Sequence, residues 1–181
     1  RVFLDPELFD ASRFDAFELA EVFTYLKSSH ETYLYAQLPK IENTLNQLCS
    51  KFRMQYISRG LLRLFIDRYK RELEEHILLE ERLLFSFVTD MLAGNYSPRR
   101  KRQVLTHFLH THNDNVVLAL NELKSDLILL DDDLNDNMVF SILFEQLSSF
   151  QTDLMVHGLI EDNVFVPKIV AYADKHFPDQ R

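Results

Sequence analysis

From Leu61 to Ala93 the chain runs without a glycine or a proline, and along that stretch Leu62, Phe65, Ile66, Tyr69, Leu73, Ile77, Leu84 and Phe87 recur at helical spacing. Apolar residues three and four apart lie on one face of an α-helix. A stripe this long cannot cover itself and has to be buried against other helices. The pattern predicts a helix from about Ser58 to about Leu92, with Gly94 as its natural stop.

Three further stripes have the same character. Asp15 and Glu18 form a capping-box pattern ahead of Leu19, Val22, Phe23, Leu26, Tyr33, Leu34 and Leu38. Pro39 is expected to end or kink that helix, although Ile41, Leu45 and Leu48 continue its pattern. Ser97-Pro98, a capping residue and a first-turn proline, opens a helix carrying Leu105, Phe108, Leu109, Val116, Leu120, Leu123 and Leu127. After the acidic loop "DDDLNDN", a fourth helix starts near Asn135 and uses Phe140, Leu143, Leu147, Phe150, Leu154, Val164 and Phe165, with Pro167 disturbing its end. Short connections make sequential helices antiparallel neighbours. The expected fold is therefore all-α, an antiparallel up-down-up-down four-helix bundle over residues 15–175. An N-terminal arm, residues 1–14, is expected to lie on the bundle, and residues 176–181 form a tail.

Composition agrees. Only 3 Gly and 5 Pro in 181 residues disfavour a turn-rich β fold, and the length suits one domain with a substantial core. A lone Cys49 rules out an internal disulfide and suggests a reducing, cytoplasmic compartment. No apolar run has transmembrane length, and no secretory leader is visible. A net charge of -8 argues against direct nucleic-acid binding. The basic cluster Arg99, Arg100, Lys101 and Arg102 reads as a solvated first turn.

The histidines do not follow the polar faces. His30 falls between Leu26 and Tyr33. His76 follows Leu73 by three and precedes Glu80 by four, and His157 stands in the same relation to Leu154 and Glu161. On the third helix His112 keeps the apolar register between Phe108 and Val116. His110 is the alternative, and His107 lines up with polar Gln103 and Thr111. One inward histidine is ordinary packing. Here each helix carries one, and two helices follow it with a glutamate one turn later. His30 and His76 are 46 residues apart and His112 and His157 are 45 apart, so two helical hairpins repeat one arrangement. Buried carboxylates need a charge partner or a metal.

Imidazole with carboxylate suits iron, zinc, copper or nickel. A single zinc would use four ligands and leave two charged groups idle. Two metals use all six, with Glu80 and Glu161 each bridging, and leave an octahedral iron one or two open positions for oxo, hydroxide, dioxygen or nitric oxide. Inward carboxylates and histidines of bundle helices are an established way of building a di-iron centre.

The stretches "YLKSSHETYLYAQLPKI", "HILLEERLLF", "FLHTHND" and "HGLIEDNVFVPKI" resemble the hemerythrin-like (HHE cation-binding) domain family, over about residues 15–172. The resemblance implies a metal site of His30, His76, Glu80, His112, His157 and Glu161, in which the four imidazoles are terminal ligands and Glu80 and Glu161 bridge two iron ions, joined by oxo or hydroxo. Oxygen-carrying hemerythrins place two histidines four apart on the third helix, where this chain has Phe108 before His112. They also use an aspartate at longer spacing where this chain has Glu161. Four His and two Glu are more similar to the di-iron proteins implicated in repair of iron–sulfur clusters. The implied function is binding of, or reaction with, O2, NO or peroxide in nitrosative or oxidative stress, with damaged iron–sulfur proteins as partners. Repair proteins often carry an N-terminal cysteine-bearing segment, which this sequence does not show. The alternative implied by related bundles is a sensor of O2 or redox state, the input domain of a transcription regulator.

Overall fold

The computed structural model describes residues 6–51, 56–111, 115–129 and 137–178, and among them there are helices and no strand. Two short 3-10 turns, Pro6–Leu8 and Ala11–Phe14, come first. Helix α1 (Leu19–Thr32) passes through a π turn, Tyr33–Gln37, into α2 (Leu38–Lys51). Helix α3 (Tyr56–Glu80) passes through Glu81–Phe85 into α4 (Ser86–Leu92). Helices α5 (Pro98–Thr111) and α6 (Asn115–Leu129) come next, and α7 (Met138–Ile160) continues through Glu161–Phe165 into α8 (Val166–His176).

Most helix boundaries obey local chemistry. Gly94, at φ 87°, ends α4 in a Schellman motif: Gly94 N–H donates to the Met91 carbonyl and Asn95 N–H to that of Asp90. Ser97 Oγ accepts from the Arg100 amide at the start of α5. Two starts differ from the sequence expectation. The helix α1 begins after Glu18, whose N–H donates to the Glu21 carboxylate at 2.8 Å, three residues beyond the predicted capping box. Asp15 is instead taken up by the preceding 3-10 turn, where its amide donates to the Ser12 carbonyl. Asp10 caps that turn through Ser12, and these hydrogen bonds hold its carboxyl below the usual carboxylate range. Helix α7 is capped by Asn137, whose Oδ1 accepts from Val139 at 2.8 Å; the predicted Asn135 lies outside the described residues.

Neither Pro39 nor Pro167 ends a helix. Each is the second residue of the helix that comes after a π turn. The residues just before them, Leu38 and Val166, donate to carbonyls five back, those of Tyr33 and Glu161. A proline ring inside a helix crowds the carbonyl four residues earlier. The wider π turn relieves that crowding and lets the helical path continue.

The chain divides into two compact units, Arg1–His30 with His76–Asn113 and Met155–Arg181, and Glu31–Glu75 with Asp114–Leu154. The first has a core of Leu26, Leu84, Phe87, Val88, Met91, Ile160, Phe165 and Ile169, against which Phe9 and Phe14 of the arm pack. Two of its cluster of cations are paired: Arg100 binds Asp90 and donates to Ser86 Oγ at 3.1 Å, and Lys101 lies 3.9 Å from Asp174. Those acids explain cations in the first turn of a helix, where the dipole alone disfavours them.

The second unit buries Leu38, Ile41, Leu48, Leu62, Leu73, Leu120, Leu143, Leu147 and Phe150, together with Cys49. Tyr33 and Tyr69 both meet Phe150 edge-on, at 5.5 and 6.3 Å between centroids. The Tyr33 hydroxyl donates to the Asp153 carbonyl, and burial pushes the Tyr69 phenol well above its ordinary pKa. Glu72 receives Arg68 Nε at 2.8 Å.

Candidate metal centre

The first unit gathers histidine and glutamate from three helices. His30 lies in the last turn of α1, four residues after fully buried Leu26, so the apolar stripe carries its ring inward. His76 and Glu80, one turn apart, close α3. His157 lies near the end of α7, and Glu161 opens the adjoining π turn. Both glutamates therefore stand at the junction between an α-helix and a π turn. Such turns insert a residue and re-aim the side chains around them, and they occur frequently at functional sites.

The polar atoms converge. His30 Nε2 is 3.1 Å from His157 Nε2 and 3.2 Å from Glu80 Oε2. His157 Nε2 is 3.3 Å from Glu161 Oε1. His76 Nε2 is 2.9 Å from the other oxygen of Glu80, Oε1. The two oxygens of Glu80 thus face different imidazoles. Outside this ring of contacts, Glu81 Oε1 lies 3.3 Å from His30 Nδ1.

Burial is deep: His30 is 1%, Glu80 5%, His157 5% and Glu161 0% exposed. An aromatic cluster adjoins them. The His30 ring stacks on Phe85 at 5.0 Å and 12°, Phe85 meets Phe165 edge-on at 6.0 Å, and Phe23 stacks on Phe165. Phe85 and Phe165 are the last residues of the two π turns of this unit. Withdrawing two carboxylates from water in such surroundings costs several kcal/mol per ion unless cations or metals compensate.

The donor set fits a metal. His30, Glu80, His157 and Glu161 each offer an atom within 4.8 Å of the others, and the group could hold a metal ion. Two imidazole nitrogens bound to one metal at about 2.0–2.1 Å stand roughly 2.8–3.4 Å apart for angles near 90–110°. The 3.1 Å between the Nε2 atoms of His30 and His157 falls in that range.

Of the six residues read from the sequence, five meet here: these four, and His76 through Glu80. The sixth, His112, lies outside the described residues, and its alternative His110 falls in the last turn of α5. His107, placed on a polar face by sequence, is exposed, yet it lines a shallow cleft with His76, Glu80 and Phe108. Glu81 was not anticipated; the only signal was a second glutamate directly after Glu80.

No family model, curated protein or solved structure matches the chain.

Proposed function

We propose that the chain is a hemerythrin-like four-helix bundle whose buried histidines and glutamates hold a pair of iron ions, and that it binds or reacts with O2, NO or peroxide. The observation that carries this reading is the placing of Glu80, one oxygen 3.2 Å from His30 and the other 2.9 Å from His76. A carboxylate that presents its two oxygens to two separate imidazoles is suited to bridging two metal positions. His30 and His157 would hold one ion together with Glu80, and Glu161, beside His157, would be the second bridging carboxylate that the hemerythrin resemblance implies. His76 and the other oxygen of Glu80 would hold the second, with His112 as the third-helix ligand implied by the hemerythrin resemblance.

When bound, the iron pair would supply one-electron redox chemistry and open coordination positions for a small ligand. The protein's part is to orient and exclude. The π turns fix Glu80 and Glu161 at the ends of their helices, and Phe85 holds the His30 ring by stacking. His157 is 5% exposed and so shielded from water, while the cleft beside His76 would leave an approach for a diatomic molecule. Among the described residues no helix is long and apolar enough to cross a membrane. A stress-response role in a reducing cytoplasm, with damaged iron–sulfur proteins as beneficiaries, is the form of this reading that the sequence resemblance favours.

Elemental analysis of protein made with ample iron and purified without oxygen should approach two irons per chain. Stopped-flow spectra of the reduced protein should show irreversible oxidation by O2 and a distinct reaction with NO. A folded protein that retains at most one metal after reconstitution refutes the dinuclear site. A long-lived O2 complex that releases its ligand under vacuum replaces repair by sensing or carriage.

A further inference from the structure

We propose that the cleft between α3 and α6 in the second unit binds a small aliphatic diamine, held by the Tyr69 hydroxyl and the carboxylates of Glu72, Glu122 and Asp126. The charged residues of the cleft come in pairs four apart, Arg68 with Glu72 on α3 and Glu122 with Asp126 on α6, so each pair shares one helix face. Arg68 and Glu72 satisfy each other, Nε to Oε1 at 2.8 Å. Glu122 and Asp126 are both exposed acids, and like charges at this spacing repel. The hydrogen bond from Glu72 first, and then the charges of Glu122 and Asp126, raise the pKa of Arg68, which gathers all three acids around one cation. Three carboxylates against one guanidinium leave the cleft with an excess of negative charge, which a dication would balance.

A second observation, independent of the acids, also points to a ligand. Tyr69 lines the cleft and is 3% exposed, yet its hydroxyl has no hydrogen-bond partner among the described residues. Folded proteins rarely leave a buried hydroxyl unpaired, because the group then loses its hydration without replacement. Burial, and then the Glu72 carboxylate, push the phenol well above its ordinary pKa, so it stays a neutral hydroxyl with lone pairs free to accept. Hard divalent cations take carboxylates, carbonyls and water rather than a neutral phenol. An ammonium carries three N–H donors and can use the hydroxyl and a carboxylate together. Phe65, Ala119 and Leu123 line the same cleft and suit the methylenes of an alkyl chain, as apolar surface suits the stem of a lysine. The second ammonium would then meet the exposed Glu122 and Asp126.

None of these residues belongs to the metal-ligating set, so the site stands or falls apart from the iron reading. The test is a titration of the 15N-labelled full chain with 1,4-diaminobutane at physiological ionic strength, followed by amide 1H–15N spectra. The neutral 1,4-butanediol and Mg2+ serve as comparisons. The diamine should produce saturable shifts in α3 and α6, the diol should produce none, and excess Mg2+ should not reverse them. Tyr69→Phe keeps the ring and removes only the hydroxyl, and should weaken diamine binding about tenfold or more, the loss of one hydrogen bond to a charged group. Glu122→Gln combined with Asp126→Asn, at exposed positions where folding is not at risk, should weaken it roughly fivefold. An affinity unchanged by Tyr69→Phe overturns the proposal, as does equal binding of the diol. Displacement by Mg2+ makes the cleft a metal site and overturns it too. The absence of saturable shifts with the diamine also overturns it, and assigns the Tyr69 hydroxyl to a buried water.

Discussion

His157 and Glu161 are 5% and 0% exposed, whereas His76, at the same four-residue spacing from Glu80, is 24% exposed and lines a cleft with His107. The two blocks share a motif and differ in the residues around and after it. After His157 the chain supplies Ile160, Val164 and Phe165, all buried, so the second block is closed. At the position matching Ile160, three residues after His76, stands Leu79, which is 41% exposed and forms part of the cleft wall, although Leu84 and Phe85 further on are as buried as Val164 and Phe165. A site built this way has one sealed half, suited to retaining a metal, and one open half, suited to exchange with solvent and small ligands.

The largest effect that would test this contrast is on stability. Phe165→Ala empties a fully buried position of the aromatic cluster and should cost about 3–5 kcal/mol in denaturant unfolding. Leu79→Ala, beside the open block, should stay within about 1 kcal/mol. Comparable losses would mean that the two halves are equally packed.

Metal retention should divide the same way. If two ions bind as proposed, His157→Ala should weaken the one held in the buried half by more than about 100-fold, beyond the cost of losing an outer-shell partner. On the same reading His76→Ala should lower the stoichiometry toward one and leave the ion of the buried half in place. Metal titrations with elemental analysis read both outcomes, and equal behaviour of the two variants would break the comparison.

Chemical access gives a smaller and more direct measure. In metal-free protein, carbethoxylation coupled to mass spectrometry should modify His76 and His107 roughly tenfold or more faster than His30 and His157, whose reaction requires local opening. Faster reaction at His157 would place the entrance on the other side.

The smallest effect concerns how each block's helix ends. The helix of the open block stops at Gly94, where φ is 87° and an added Cβ would meet nothing within 4 Å. Gly94→Ala should therefore cost about 1–2 kcal/mol, all of it from the left-handed backbone. The helix of the closed block runs on past Pro167 to His176 with no residue at positive φ.

Much of this was legible in the sequence because it is local. Helical period, the Ser97 cap and the Gly94 stop depend on residues within a turn or two of one another, and all are present. The inward placing of His30, Glu80, His157 and Glu161 came from the register of their apolar neighbours, and those four are buried. The capping boundary at Glu18 was missed because Asp10 and Ser12 organise a turn that claims Asp15 first. His107 was set aside because one helix's polar face says nothing about a cleft made with α3.

The sequence by itself determined that the chain is helical, which faces are apolar, and that imidazoles and carboxylates lie on those faces, since each comes from side-chain period and chemistry. Only the tertiary structure decided that Pro39 and Pro167 are absorbed by π turns, that Glu80 divides its oxygens between His30 and His76, and that Glu81 reaches the far side of the His30 ring. A π turn exchanges regular backbone hydrogen bonds for better packing, and that exchange is settled by neighbouring helices. Which atoms of two side chains meet is set by separations of a few tenths of an ångström between helices far apart in the chain, and no periodicity within one helix encodes them.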